Sequence, residues 1–472
     1  MDDKGDIGMI KCNYIEPFYI GDIEFLGAHC FKSKSKSLLL SKEGTSIILS
    51  NDIIDLICKQ ELSDNIGIKL YQRGFAKLFG KERFSDTKNN NNQPTFFMID
   101  FTTKCNLNCI YCLRHFENEG KSIDEKSLYS ICDYIIKYCK NHNIHNISFQ
   151  PWGGEPLIEI DKIVKSKKRF ENAGINVNYT IQTNGLLLTK DVYNKLEENN
   201  INFGISIDGT KQVHDSHRVN LKGEKTFDQL LKRMQDIKKI NPEYEFYTLS
   251  VNSMYTLENI EESIRYLVED LKINHLKFNL VHPNGDNFDW NMLIKEEDMK
   301  VFAEKVFNSV IKENQKGYNV IEANIRTRII NILNQGEIDL CHSRGCSGGR
   351  KFVSFSQEGN IYPCELIGSE INCIGNIYDD EDLEELIEKA CNSKPYFKPK
   401  KDKKCDSCPY FYFCRGGCTA SAMSYNKKSG EIDDMTCRFN LEIYPLIIEL
   451  ILNDEQMVKK LIDYNKDDLN LK

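Results

Sequence analysis

The sequence predicts an α/β protein: a partial (β/α)6 barrel with a small winged-helix-like domain before it and a cysteine-rich domain after it. Three observations carry that prediction. From residue 96 onward, short apolar runs alternate with amphipathic stretches of helical period, as in repeated βα units that build a parallel sheet. The tract Asn89-Asn90-Asn91-Asn92, between Lys88 and Pro94, is a polar break ahead of those units. Eight cysteines at tight spacings fall between Cys341 and Cys437. The resulting division is an N-terminal domain over 1–92, a barrel over 93–315, a bridging helix over 316–340, a cysteine-rich domain over 341–440 and a helical tail over 441–472.

In the first domain, Ser37-Leu38-Leu39-Leu40-Ser41 and Thr45-Ser46-Ile47-Ile48-Leu49 read as a hairpin across Lys42-Glu43-Gly44. Asn51 reads as the cap of a helix through Asp52, Ile53, Ile54, Leu56 and Ile57, and a second short helix precedes Tyr71-Gln72-Arg73-Gly74-Phe75. In the barrel, strands are expected over 96–101, 147–150, 177–182, 203–207, 246–251 and 276–281, with helices over 126–142, 189–199, 227–239 and 257–271. Six strands suit a partial barrel better than a closed eight-stranded one. Cys132 and Cys139, at helical spacing among Leu128, Ile131, Ile135 and Ile136, read as core packing. Chemistry on such a fold belongs at the C-terminal ends of the strands, where the βα loops converge.

The chain has 472 residues and a formal charge of −8 with both signs interspersed, which argues against a nucleic-acid partner. The N-terminus shows no apolar signal region, and the apolar stretch from Tyr444 to Leu452 is short and broken by Glu449, so no membrane partner and a cytoplasmic location are expected. In that setting 18 cysteines point to metal binding or catalysis more than to disulfides.

The loop after the first strand reads Cys105-Asn106-Leu107-Asn108-Cys109-Ile110-Tyr111-Cys112. Three thiols at this spacing can hold three irons of a cubane cluster and leave the fourth open to a small molecule. A structural zinc site needs four ligands, and His115 stands three residues beyond Cys112, so spacing alone leaves both open. Trp152-Gly153-Gly154-Glu155-Pro156 follows the second strand; its paired glycines allow a close backbone approach to a ligand, or form an ordinary turn. Thr183-Asn184-Gly185 follows the third strand. Ser206-Ile207-Asp208-Gly209 follows the fourth, with Arg218 beyond it; a hydroxyl and a guanidinium suit an amino-acid carboxylate. Downstream stand Cys341, Cys346, Cys364, Cys405, Cys408, Cys414, Cys418 and Cys437, enough thiols for two four-ligand sites of zinc or iron.

In this order the loops resemble the peptide- and protein-modifying radical S-adenosylmethionine (SAM) enzymes, and the cysteine-rich segment resembles the SPASM domain, a likeness spanning residues 96–440. The resemblance implies a SAM-binding [4Fe–4S] cluster on Cys105, Cys109 and Cys112, with His115 no ligand. It places Tyr111, Gly153, Gly154, Glu155, Ser206, Asp208 and Arg218 around SAM, and Leu280 on its adenine side. It implies two auxiliary [4Fe–4S] clusters, one on Cys341, Cys346, Cys364 and Cys418, the other on Cys405, Cys408, Cys414 and Cys437, making three in all. The N-terminal domain resembles the leader-recognition element of peptide maturases, which offers a sheet edge to an extended leader; a structural cap on the barrel is the alternative.

The nearest resemblance is to clostridial maturases of Cys-rich peptides. It implies as partners a Cys-rich precursor peptide with a leader and a low-potential electron donor such as flavodoxin or ferredoxin. The implied reaction is reductive cleavage of SAM to methionine and a 5′-deoxyadenosyl radical, hydrogen abstraction from a peptide carbon, and capture of that carbon by a substrate cysteine as a thioether. Two other readings stand beside it. A sulfatase maturase would oxidise one Cys or Ser to formylglycine; that family has an aspartate after the cysteine matching Cys364, where this chain has Glu365, a candidate base. A zinc-containing peptide-binding protein would do no radical chemistry.

Overall fold

The structure is a computed structural model that describes residues 11–82, 93–112, 120–283, 288–334, 339–342, 345–398, 400–426 and 431–463. The polar tract at 89–92 and His115 lie outside these.

The N-terminal region contains strands β1 (Lys11–Ile15), β2 (Phe18–Ile20), β3 (Ile23–Phe25), β4 (Ala28–Lys32), β5 (Lys36–Leu40) and β6 (Ser46–Ser50), helices α1 (Asn51–Cys58) and α2 (Asp64–Gln72), and strand β7 (Ala76–Leu78). They make two antiparallel sheets, ordered β1-β4-β5-β6 and β2-β3-β7. The expected hairpin is β5–β6, with Leu38 opposite Ile48 and Leu40 opposite Ser46. The expected cap is corrected: β6 runs straight into α1, so Ser50 takes the N-cap position and Asn51 lies inside the helix. The Asn51 side chain instead ties the helix to the hairpin, accepting from Ser37 Oγ at 2.7 Å and donating to Ser33 O at 3.0 Å.

Phe25, Ile54, Ile57, Leu70 and Phe75 give this region its own core, yet Phe31, Leu38 and Leu40 belong to the main core of the chain. Phe31 stacks on Tyr410 with ring centroids 6.1 Å apart, and Ser46 Oγ donates to the Ile332 carbonyl. The N-terminal region is therefore seated on the cysteine-rich one.

All six expected strands form: β8 (Phe96–Thr102), β9 (Asn146–Gly153), β10 (Asn176–Thr183), β11 (Ile201–Ser206), β12 (Tyr247–Asn252) and β13 (His275–Leu280), each parallel to its neighbour in chain order. Between them run α3 (Glu125–Asn141), α4 (Ile160–Asn172), α5 (Lys190–Glu198), α6 (Lys211–His217), α7 (Phe227–Ile240) and α8 (Ile260–Arg265). Cys132 and Cys139 on α3 are fully buried, as core packing requires. The helix expected over 257–271 is shorter: a 3-10 turn over Met254–Asn259 leads into α8, and a π turn over Tyr266–Asp270 ends it.

Helix α9 (Met299–Gln315) is followed by β14 (Ile321–Glu322) and α10 (Ala323–Asn334). The bridging helix therefore starts at Ala323 and not at 316, because the Asn314 side chain clamps both backbone groups of Val320 and turns the chain into a strand beside β13. Next come β15 (Phe352–Phe355), β16 (Asn360–Tyr362), β17 (Gly375–Asn376), α11 (Leu383–Ser393), α12 (Phe411–Cys414), α13 (Thr419–Asn426), α14 (Asp434–Asn453) and α15 (Glu455–Leu461). Strand β15 pairs in parallel with β8, Phe352 opposite Phe96, so one ten-stranded sheet runs β14-β13-β12-β11-β10-β9-β8-β15-β16-β17. The sheet thus crosses the expected domain boundary at 341, and α14 crosses the one at 441. Among the described residues no helix is long and apolar enough to cross a membrane.

Leu38 is fully buried where the two cores meet. Leu38→Ala should cost about 2–5 kcal/mol. Urea denaturation followed by both far-UV circular dichroism and tyrosine fluorescence should show one lowered transition; early loss of the N-terminal region alone would contradict the shared core.

Candidate active site

The CxxxCxxC loop leaves the C-terminal end of β8, and its entry is fixed by the loop after β9. Gly154 N donates to Thr102 O at 2.6 Å and Glu155 N to Lys104 O at 2.9 Å. A side chain on Gly154 would overlap the Lys104 carbonyl, and Gly153 sits at φ +137° against Thr102. The glycine pair thus serves a close approach of two backbones, one of which carries Cys105. Glu155, 1 % exposed, accepts from Thr183 Oγ1 (2.7 Å), Asn184 N (2.8 Å) and Leu157 N (3.1 Å), and burial raises its pKa. It braces the loop after β9 against the loop after β10.

Asn184 in that second loop donates to Asn106 Oδ1 at 2.7 Å and reaches Cys105 Sγ at 3.9 Å. Asn108 N and Ile110 N donate to Val219 O and His217 O, so the chain at the end of α6 supports the far side of the cysteine loop. Burial pushes the Cys105 thiol up to about 11 and Cys109 to about 12, and Cys112 lies within electrostatic reach of both. Thiols this reluctant to ionise need a nearby cationic metal to be held as thiolates, which coordination to iron provides. With Leu107 N already directed at Cys105 Sγ (3.4 Å), the three thiols and their amide donor fit a cluster.

Beneath the loop lies a buried ion pair. Arg218 Nε and Nη2 donate to Asp208 Oδ2 and Oδ1 at 3.0 and 3.2 Å, Tyr111 Oη donates to Oδ2 at 2.6 Å, and Val251 N donates to Oδ1 at 3.0 Å. Asp208 and Arg218 are 1 % and 6 % exposed. Burial opposes the charge on Asp208, but the Arg218 guanidinium, His217 and His214 together outweigh it and hold the carboxyl well below the usual range. Arg218 also lies over the Tyr111 ring, 5.4 Å from its centroid, while His217 meets that ring edge-on. Ser206 closes β11 and accepts from Gln182 Nε2 at 3.1 Å. Leu280 ends β13 opposite Asn252, half-buried. Trp152 Nε1 is buried without a hydrogen-bond partner among the described residues, a donor left unspent at the end of β9.

The eight downstream thiols fall into two electrostatically connected groups. Cys341, Cys364 and Cys418 each feel Cys346, and burial raises all three. Cys437 feels Cys405, Cys408 and Cys414. Amide donors point at sulfur in both groups: Leu366 N at Cys364, Ser421 N at Cys418 and Asp402 N at Cys405, each 3.5 Å away. Asp433, the N-cap of α14, accepts from Cys418 N at 3.2 Å and from Thr436 N at 3.3 Å, and so locks one group to the helix that carries Cys437 of the other. Among the described residues, no three His, Cys, Asp or Glu side chains converge as on a single metal ion.

Glu365 accepts from the Cys364 thiol at 3.1 Å and lies within electrostatic reach of His282, two residues beyond Leu280. His282 was not singled out from the sequence. Gln182 and Asp433 were missed too, since an isolated amide or carboxylate carries no spacing signal, whereas Asn184 stood in the Thr183-Asn184-Gly185 loop without a role of its own.

Residues 99–267 match the Radical SAM superfamily. The chain therefore contains a radical SAM domain; it is an enzyme, and its domain implies a [4Fe–4S] cluster and SAM. It is similar to the cysteine-type anaerobic sulfatase-maturating enzyme of Clostridium novyi, 26 % identical over 346 residues, which spans 71 % of this chain and 90 % of the relative. The serine-type enzyme of Bacteroides thetaiotaomicron is 23 % identical over 360 residues, covering 70 % of this chain and 84 % of that one. Among solved structures, the sulfatase maturase anSMEcpe with bound AdoMet superposes with TM-score 0.66 at 22 % identity, covering 78 % of this chain and 98 % of its own. Streptococcus suis SuiB bound to precursor peptide SuiA superposes with TM-score 0.53 at 17 % identity, covering 89 % and 99 %. These likenesses show a shared fold.

Asp208→Asn should destabilise the enzyme by about 3–5 kcal/mol, because a buried guanidinium loses its carboxylate. The Asp208 pKa is lowered on folding, so its contribution is present above the unfolded value near 4 and lost as pH falls through the folded value. Denaturant melts from neutral to acid pH should show wild type losing this increment only in strong acid; an equal acid dependence in the variant would refute the assignment.

Proposed function

We propose that this chain is a radical SAM maturase of a Cys-rich ribosomal precursor peptide, with thioether formation as its reaction. The observation that carries this is the seating of the N-terminal region beside the second thiol group. Phe31 stacks on Tyr410 and Gly44 abuts the Tyr412 ring, both aromatic residues lying between Cys408 and Cys414 in the chain. The outer strand β1, with Lys11, Cys12 and Asn13 exposed, offers an edge unpaired among the described residues to an extended leader. The coverage of SuiB, 89 % of this chain against 78 % for anSMEcpe, supports the same reading.

Cys105, Cys109 and Cys112 would hold the SAM-binding cluster, and Cys341, Cys346, Cys364 and Cys418 with Cys405, Cys408, Cys414 and Cys437 two further clusters. Bound there, cluster and SAM supply one-electron cleavage of a carbon–sulfur bond, a source of a carbon radical. The chain's own residues position and shield. Asp208 and Arg218 form the floor under Tyr111; Glu155 and Asn184 fix the cysteine loop. Ser206, Gly153, Gly154, the unspent Trp152 Nε1 and Leu280 stand at the strand ends where SAM would lie. In thioether formation one C–H and one S–H bond give way to a C–S bond. Beyond the abstracted hydrogen atom, one electron and one proton must depart, and Glu365 or His282 would take the proton.

The 23–26 % identity with sulfatase maturases favours a second reading, formylglycine formation with Glu365 as base. Mass spectrometry after anaerobic reaction with a Cys-rich peptide and dithionite separates the two. Loss of two hydrogens per crosslink, with sulfur retained, is expected; loss of the cysteine sulfur would move the assignment to formylglycine formation.

Replacing Cys105, Cys109 and Cys112 together by Ala should abolish SAM cleavage and lower bound iron by about one third, with two of three clusters kept. SAM cleavage at the wild-type rate, or iron falling to zero, would overturn the cluster assignment.

A further inference from the structure

Arg328 on α10 is a charge buried to 2 % exposure. Its Nε and Nη2 both donate to Asn440 Oδ1, at 3.0 and 2.7 Å, and its Nη1 donates to Asn324 O at 3.0 Å. Its guanidinium lies over the rings of Phe439 and Tyr444, 4.9 and 5.8 Å from their centroids. Among the described residues no carboxylate pairs with it. Glu322, the acid in its surroundings, gives its oxygens to Phe278 N, Asn324 Nδ2 and Ile325 N. A buried cation without a counter-ion is unfavourable unless something anionic lies close by.

The geometry points to the second thiol group. Asn440 stands three residues beyond Cys437 on α14, one helical turn along the same face. A guanidinium has only donors, so Asn440 must turn its oxygen to Arg328, which leaves its NH2 free for a sulfur. Cys414 is the neighbouring thiol, and it lies within the reach of Asn440. Tyr444, under the guanidinium, stacks on Tyr410 (4.7 Å) and Phe413 (5.8 Å), which flank Cys408 and Cys414 in the chain.

We propose that Arg328 and Asn440 form a potential-setting pair for the site of Cys405, Cys408, Cys414 and Cys437: the unpaired guanidinium favours the more negative, reduced state of an iron–sulfur cluster there. The proposal rests on the reading of these thiols as cluster ligands. Net charge and hydrogen bonds to sulfur are among the terms that set such potentials. Arg328 is thus a positioning and tuning residue, acting through Asn440.

The test is an EPR-monitored redox titration of the reconstituted full chain. Arg328→Gln should move one midpoint to more negative potential and leave the others in place, and Arg328→Lys, which keeps the charge, should stay near wild type. Should Arg328→Gln fold poorly, Asn440→Asp, which gives the guanidinium a carboxylate, should produce the same downward shift. Unmoved midpoints in a variant with its full iron content would overturn the proposal, as would an Arg328→Lys shift as large as that of Arg328→Gln. Iron content of Cys437→Ala is measured alongside: iron unchanged from wild type would sink the ligand reading itself, a separate failure.

Discussion

The site depends on one buried ion pair. Asp208 collects Arg218, Tyr111 and Val251 N, and through them joins the loop after β11, the end of α6, strand β12 and the cysteine loop. Such a pair earns little net stability, because desolvating two charges consumes most of their attraction. What it gives is definition. Each partner has one geometry that satisfies it, so Tyr111 and the backbone at His217 and Val219, which carry the cysteine loop, have one position as well. A loop of three thiols must present them to a rigid inorganic core, and loops are otherwise the mobile part of a βα fold.

The loops around this pair are joined laterally with equal economy. Glycines at 153 and 154 let one backbone touch another, Glu155 spans from there to Thr183 and Asn184, and Asn184 returns to Asn106. Three strand ends are thereby closed into one frame before any ligand arrives. Preorganisation of this kind removes the ordering cost from the binding step.

The parallel sheet was legible because its strands are apolar runs at regular spacing and its helices carry a clear stripe. All six strands appear within a few residues of expectation. The eight downstream thiols stood out by their spacing, while their division into two sets of four was what the resemblance to the SPASM domain implied. What the sequence concealed is long-range. No local pattern says that β15 will pair with β8, or that Phe31 and Leu38 will serve the main core, and those two contacts blur the expected boundaries. Residues such as Gln182, Asp433, Asn440 and His282 are single polar side chains whose partners lie far along the chain. The early break at Ala323 turned on one Asn314 side chain, which periodicity does not register. The glycine pair was visible, but its neighbour proved to be the chain itself.

The pairing of β15 with β8 also bears on how the molecule is made. Strand β8 launches the cysteine loop, yet one of its edges stays open until residues 352–355 arrive, some 250 positions later. During synthesis the first half of the parallel sheet therefore leaves the ribosome with an exposed edge next to three thiols, a template for wrong partners. Contacts so distant in sequence are slow to close. The cysteine-rich segment thus brings the strand that closes the edge of β8, and the two halves of the chain complete one sheet together.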